Sequence, residues 1–328
     1  SRLASIVFWL ATHFVKEVRQ AAGPAHTTDV SLLNDAEIAV LLQQVEAIAE
    51  DPHHTQEVYY RHAGDFRSAY LGQGLDFEEA RLYQQGDDIR NMDWRTTART
   101  GKPHLKIYRE EHQPALHVVM DRGASMRFGT ETQLKVTQAA RIAALFAFAA
   151  MRHGACIGGS LVQPSELTLP CSVGEAGAFR LVEACVASCP PLQDAITPAL
   201  LWHTLQRLDS VLARGTRLII ISDFQGLDER RLPLLLRLAS RHTVVPIQVI
   251  DRVEQRLPDI GMVCFRDGAT GLTRWIDTGD HALREAFQHN SQQRLESQSA
   301  MFNRIGVRLV QCHTSDDPLG LIGLAMYG

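Results

Sequence analysis

The residues of this chain best placed to do chemistry lie in the run Asp121-Arg122-Gly123-Ala124-Ser125-Met126. A mostly apolar stretch of strand length, residues 116–120, feeds directly into it, and a helical pattern follows. A buried strand ending in Asp, with a hydroxyl four residues on and a helix behind, delivers oxygen ligands to the carboxyl end of a sheet. Open α/β sheets bind their ligands there. Oxygen ligands of this type suit a hard cation such as Mg²⁺. A second strand of the same character, Ile219-Ile220-Ile221-Ser222, ends in Asp223. Strands apolar on both faces belong in the middle of a parallel sheet. Residues 116–120 and 217–222 are therefore expected side by side, with Asp121 and Asp223 on one rim. The competing reading gives the two carboxylates no ligand, only backbone N–H bonds at helix starts.

Other constellations are weaker. The turn Gly86-Asp87-Asp88 offers two carboxylates, which can serve acid–base chemistry or fix a loop by pairing with Arg90 or Arg95. No His–Ser or Cys–His arrangement accompanies them in the sequence, which favours a structural network, with Trp94 as its expected core anchor. Arg81, Arg90, Arg95, Arg99, Lys102, Lys106 and Arg109 alternate with Asp87, Asp88, Asp93, Glu110 and Glu111. Interleaved acids cancel most of the field that nucleic acid requires, so none is expected as a partner. Gly72-Gln73-Gly74 lacks the third Gly of a dinucleotide loop, and no Gly-Lys-Ser/Thr occurs. Asp121 has no Asp two residues on, which leaves an aspartyl-phosphate phosphatase unsupported.

The elements that must position these residues can be read from periodicity. Residues 34–50 carry Leu41, Leu42, Val45 and Ile48 on one helical face. Between residues 58 and 108 turn residues crowd in, so short strands and ordered loops are expected. From residue 115 strands and helices alternate. Strands are expected at 116–120, 155–162, 166–169, 217–222, 243–250 and 307–312, and helices at 133–152, 175–188, 198–212, 229–241 and 281–305. A hairpin is expected at 262–265 and 273–276. That order argues an α/β fold, a mostly parallel sheet with helices on both faces. The expected division is N-terminal helices at 1–57, a β-rich segment at 58–111 and the α/β domain at 112–328.

Composition is that of an ordinary globular chain: 328 residues, 45% hydrophobic, 21% charged and a net charge of −4. So small a charge draws the molecule neither to nucleic acid nor to an acidic membrane surface. Cys156, Cys171, Cys185, Cys189, Cys264 and Cys312 include no Cys-x-x-Cys pair, and several sit in apolar segments. They read as buried reduced thiols rather than a disulfide framework or a zinc site. No apolar run reaches the ~18 residues of a membrane span. Residues 6–11 lack a strongly basic leader and a small-residue cleavage site, so they are expected to form an amphipathic helix docked on the core. The Phe8-Trp9 face of that helix offers a peripheral membrane contact. The expected location is the cytoplasm, with any membrane association through partners.

One family carries these motifs together. The stretch from Gly72 to Thr130 resembles the bacterial domain-of-unknown-function 58 family in its ordered residues Gly72, Gly74, Phe77, Arg81, Tyr83, Gly86, Asp87, Asp88, Arg90, Asp93, Trp94, Arg95, Thr97, Ala98, Arg99, Asp121, Ser125 and Met126. Ser222-Asp223 and Cys312-His313-Thr314 extend the resemblance over most of the chain. It implies a von Willebrand factor A-like (Rossmann-like) core and a degenerate metal-ion-dependent adhesion-type loop. In that fold a divalent cation is held by an Asp-x-Ser-x-Ser loop, a Thr and a further Asp. Here Asp121, Ser125 and Asp223 match, while Gly123 stands where the first Ser would be. Thr197 is the nearest candidate for the Thr, in a register the sequence does not fix.

The cation implied is Mg²⁺, weak or absent in the isolated protein. The expected function is a non-enzymatic interaction module, and the resemblance implies its partnership. Its expected partner is a MoxR-type AAA+ ATPase, acting with it in chaperone-like maturation or assembly of clients or of other von Willebrand factor A-containing proteins. The alternative is a metal-dependent hydrolase using the same Asp121/Asp223 edge.

Overall fold

The computed structural model describes residues 31–50, 80–83, 92, 94–106, 114–130, 132–189, 199–266 and 273–323. Of the residues singled out above, Phe8, Trp9, Gly72, Gly74, Phe77, Gly86, Asp87, Asp88, Arg90, Asp93, Arg109, Glu110, Glu111 and Thr197 lie outside this set. The chain divides into two compact units, Ser1–His62 with Pro114–Gly328, and Ala63–Gln113.

The described chain begins with α1 (Asp35–Glu50) of the larger unit. Asn34 and Glu37 start it with a reciprocal cap, each side chain accepting the other's backbone N–H at 2.9 Å. In the smaller unit, β1 (Ala80–Leu82) runs antiparallel to β2 (His104–Lys106), and α2 (Trp94–Thr100) precedes β2. The helix departs from the strands and loops expected here. Thr97 Oγ1 accepts the His104 N–H at 3.0 Å and thereby ties helix to strand. Trp94 opens α2 and is 67% exposed, so it is not the core anchor that its neighbours suggested. Arg99, in the last turn, is exposed as well.

The larger unit is built on a six-stranded sheet: β3 (Ala115–Asp121), β4 (Cys156–Val162), β5 (Leu167–Val173), β6 (Arg217–Ser222), β7 (Thr243–Ile250) and β10 (Val310–His313). The spatial order is β10-β7-β6-β3-β4-β5, parallel throughout except for the antiparallel β4–β5 pair at one edge. β3, β6 and β7 are buried along nearly their whole length because Val, Ile and Leu project from both faces.

On one face lies α3 (Lys135–Arg152), buried almost all round. Its Ala residues let α1, α4 (Gly174–Val186) and the sheet approach it closely. On the other face α5 (Ala199–Val211) and α6 (Leu232–Arg241) share a core with Val119, Leu218 and Ile220. Phe302 of the long α8 (His281–Arg304) joins that core. α6 begins later than the expected helix because a 3₁₀ turn at Glu229–Arg231, capped by Asp228, precedes it. A separate antiparallel hairpin, β8 (Met262–Arg266) with β9 (Thr273–Asp277), follows the single-turn α7 (Arg252–Gln255). No helix among the described residues is long and apolar enough to cross a membrane.

The cysteine expectation needs correcting at one pair. Cys156 and Cys171 form a disulfide between β4 and the edge strand β5, with Cα atoms 5.4 Å apart. Antiparallel pairing brings the two together across a short turn, which residue spacing alone does not reveal. Cys185, Cys189, Cys264 and Cys312 are free thiols, all buried except the partly exposed Cys264.

Candidate functional site

Parallel pairing of β3 with β6 sets Met120 opposite Ile221 and so brings Asp121 and Asp223 to the same carboxyl rim. Asp121 is held on both oxygens: Oδ1 accepts the Gly123 N–H at 2.8 Å and Oδ2 accepts the Ser222 hydroxyl at 2.7 Å. A Cβ on residue 123 would lie 3.0 Å from Asp121 Oδ1, so Gly123 gives its amide room to close on the carboxylate. Burial, then the neighbouring Asp223 charge, push Asp121 up to about 6 against the two hydrogen bonds. Arg122 is itself buried and donates to the Ala184 carbonyl at 3.4 Å and to the Ala187 carbonyl, at the end of α4. That is the helix end where a cation is favoured.

Asp223 stands at the start of a constrained turn. Its Oδ1 accepts the Gln225 N–H at 3.1 Å, and Oδ2 accepts from Lys135 Nζ at 3.0 Å. The next residue, Phe224, has φ 54°, a conformation that non-glycine residues hold only when their surroundings enforce it. Two buried amides supply the constraint. Gln248 donates to the Asp223 carbonyl at 3.3 Å, and Gln298 donates to the Phe224 carbonyl at 3.1 Å. Gln248 also donates to the Gln298 side chain at 2.7 Å.

Lys135 is the least expected member. It opens α3, is fully buried, and its ammonium lies 2.6 Å from Glu254 Oε1 as well as 3.0 Å from Asp223. Burial works against its charge, but Asp223 and Glu254 together hold its pKa above the ordinary lysine value. Burial also opposes Asp223, yet Lys135 holds that carboxyl below its ordinary value. For Glu254 burial wins and the pKa is raised. The other Glu254 oxygen accepts the Asp251 N–H at 3.0 Å, one half of the capping box that starts α7. Asp251, wholly buried at the end of β7, accepts from the Thr130 N–H at 2.9 Å, from the Thr130 hydroxyl and from Thr314 Oγ1 at 3.2 Å.

The far end of the loop after Asp121 is thus pinned twice. Phe128 anchors it in the apolar cluster under the β8–β9 hairpin, and Thr130 binds Asp251. Between them, Gly129 has no room for a side chain, since a Cβ there would lie 2.1 Å from the Gln133 carbonyl oxygen. Gly129→Ala is expected to lower stability by about 1–3 kcal/mol, as overpacking does. Urea unfolding measures this directly, and an unchanged midpoint would show that the loop can open at no cost.

The structure therefore brings Asp121, Ser125 and Asp223 together, as their strand ends implied. Around them stand Ser222, already marked by the resemblance, and Lys135 and Glu254, which the sequence reading did not weigh. Lys135 left only a partial trace in the sequence, as a lysine at the start of a mostly apolar, Ala-rich helix, and once buried there it needs carboxylates. This donor set does not suit a resident Mg²⁺. Both oxygens of Asp121 and of Asp223 already accept bonds, and an ammonium occupies the space between Asp223 and Glu254. Among the described residues no three His, Cys, Asp or Glu side chains are grouped to hold a metal.

With this geometry in view, residues 79–297 match the family described as protein of unknown function DUF58. The chain belongs to that family. It is 32% identical over 225 residues to the uncharacterized protein Rv1480 of Mycobacterium tuberculosis, covering 68% of this chain and 70% of the relative. An uncharacterized protein of Mycobacterium bovis, Mb1516, shows the same identity and coverage. Among solved structures, it is similar to the conserved hypothetical protein BatB from Bacteroides thetaiotaomicron, at 12% identity and a TM-score of 0.39, over 65% of this chain and 97% of that one. It is also similar to an aerotolerance-related membrane protein from Bacteroides fragilis, at 13% identity and a TM-score of 0.40, over 65% and 98%.

Proposed function

We propose that this protein is a non-enzymatic interaction module of von Willebrand factor A-like design. In this reading it works with a MoxR-type AAA+ ATPase in chaperone-like maturation or assembly of client proteins, and presents the rim around Asp121, Ser125 and Asp223. The observation that supports this best is the bonding of the rim. Each oxygen of Asp121 and Asp223 accepts a bond from within the protein. Each oxygen keeps a second lone pair, but the Lys135 ammonium already neutralises the Asp223 carboxylate where a catalytic cation would bind. Recognition benefits from a surface whose shape is set before the partner arrives. Family membership, with the parallel sheet and its rim at the strand ends, lends the ATPase partnership its support.

The test is binding of the purified ATPase to wild type and to Ala124→Arg. Ala124 is partly exposed in the short 3₁₀ turn beside the rim, and a long side chain there obstructs docking without removing an internal bond. Binding is expected to weaken about tenfold or more at unchanged melting temperature. Equal affinity would move the partner elsewhere. Phosphoester or peptide turnover by wild type, lost in Asp121→Ala, would favour the metal-dependent hydrolase instead.

A further inference from the structure

The placement of Lys135 is hard to account for by helix stability. It is the first residue of α3, where the helix dipole is positive and a lysine is electrostatically misplaced. Its backbone N–H is fixed on the Phe128 carbonyl at 2.7 Å, and Leu134 before it supplies no side-chain cap. The side chain is wholly buried, so its position serves no contact with solvent. What holds it is the pair of carboxylates, Asp223 Oδ2 at 3.0 Å and Glu254 Oε1 at 2.6 Å. Asp121 stands beside this cluster at the end of the neighbouring strand, bonded to Ser222 next to Asp223, and the buried Ser125 follows it in the same loop. These are the residues whose types call for a hard cation.

We propose that the Lys135 ammonium is a tethered cation that takes the place of the divalent ion at this rim, and that a metal enters only when the ammonium is removed. Lys135 supplies one positive charge and three N–H donors where Mg²⁺ would supply two charges and demand six oxygens in near-octahedral array. Two of those donors meet Asp223 and Glu254. The remaining Asp223 oxygen and both Asp121 oxygens are satisfied by Gln225, Gly123 and Ser222. With the carboxylates bonded in this way, an incoming ion would have to displace the lysine before it could bind. Removing the ammonium reverses the situation, because two buried carboxylates are then left with space and no counter-charge.

The proposal concerns the isolated chain and stands apart from the partnership proposed above, so the deciding experiment contains no ATPase. Wild type, Lys135→Ala, Lys135→Arg and Lys135→Ala/Asp223→Asn are titrated with Mn²⁺ by electron paramagnetic resonance and melted in Mg²⁺ or in EDTA. Wild type and Lys135→Arg are expected to take up no Mn²⁺ at this site and to melt alike in both buffers. Lys135→Ala is expected to bind about one equivalent of Mn²⁺ with at least ~10-fold higher affinity than wild type. It should melt several degrees higher in Mg²⁺ than in EDTA, an effect lost in the double variant. One equivalent bound by wild type and lost in Asp223→Asn would overturn the proposal, and so would a folded Lys135→Ala that binds none. If Lys135→Ala does not fold, the wild-type titration decides: uptake abolished by Asp223→Asn refutes the tethered cation, and no uptake upholds it.

Discussion

Lys135→Met, measured in EDTA at neutral pH, is expected to lose about 3–5 kcal/mol of unfolding free energy, the scale for breaking a buried ion pair by deleting one partner. Methionine retains much of the buried apolar stem, so the loss reports mainly on charge. Asp223 and Glu254 would then face each other across a dry gap with no cation between them. A second substitution separates the pair from the packing. If the ammonium matters through these contacts, Glu254→Gln costs less in the Lys135→Met background than in wild type, with a coupling of about 0.5–3 kcal/mol. Urea titrations of the four proteins give the cycle. A Lys135→Met loss within about 0.5 kcal/mol, the range of exposed substitutions, would mean that the lysine spends its time outside the site.

That interaction also marks where sequence reasoning stops. The sheet was legible because β6 and β7 are runs of Val, Ile and Leu bounded by polar residues, and Arg217–Ser222 and Thr243–Ile250 form over the residues expected. Burial on both faces forces such runs into the middle of a parallel sheet. Asp121 and Asp223 followed, since a residue at a strand end has little choice of place. Lys135, by contrast, meets its partners 88 and 119 residues away in sequence. A pattern can say that such a lysine needs an acid, but not which one, and so not that the cation position is already taken. The Cys156–Cys171 pair was missed for a related reason: the edge strand β5 is exposed and mixed in character, so neither its register nor its disulfide could be read. Trp94 misled because large aromatic residues are usually anchors, whereas this one begins a seven-residue helix and is largely exposed.

The acid side of the stability profile is expected to carry a specific loss centred on His117. This residue sits in the middle of β3, on the face covered by α5, and shares a hydrogen bond with Ser160 Oγ at 3.0 Å. Ser160 continues to Thr168 at 3.2 Å, and Arg207 donates to Thr168 at 2.7 Å while pairing with Glu166. Burial, and then the positive charges of Arg207 and His242, lower the His117 pKa from 6.5 to about 4. The unfolded chain therefore binds a proton near pH 6.5 that the folded protein refuses until about pH 4. Its stabilising contribution is complete above that window and is lost as the pH falls through it, amounting to about 3 kcal/mol. Asp121 acts with the opposite sign: its folded pKa is raised to about 6, so it favours the folded state as the pH falls toward the unfolded carboxyl value. Between pH 6 and 4 the His117 and Asp121 contributions therefore oppose each other, and the His117 part is isolated by comparison with a variant. His117→Gln keeps a polar partner for Ser160 and cannot titrate, so it should become relatively more stable against wild type as the pH drops from 7 to 4. Urea midpoints for both proteins across that range test the point, and parallel curves would show that His117 is reached by water in the folded state.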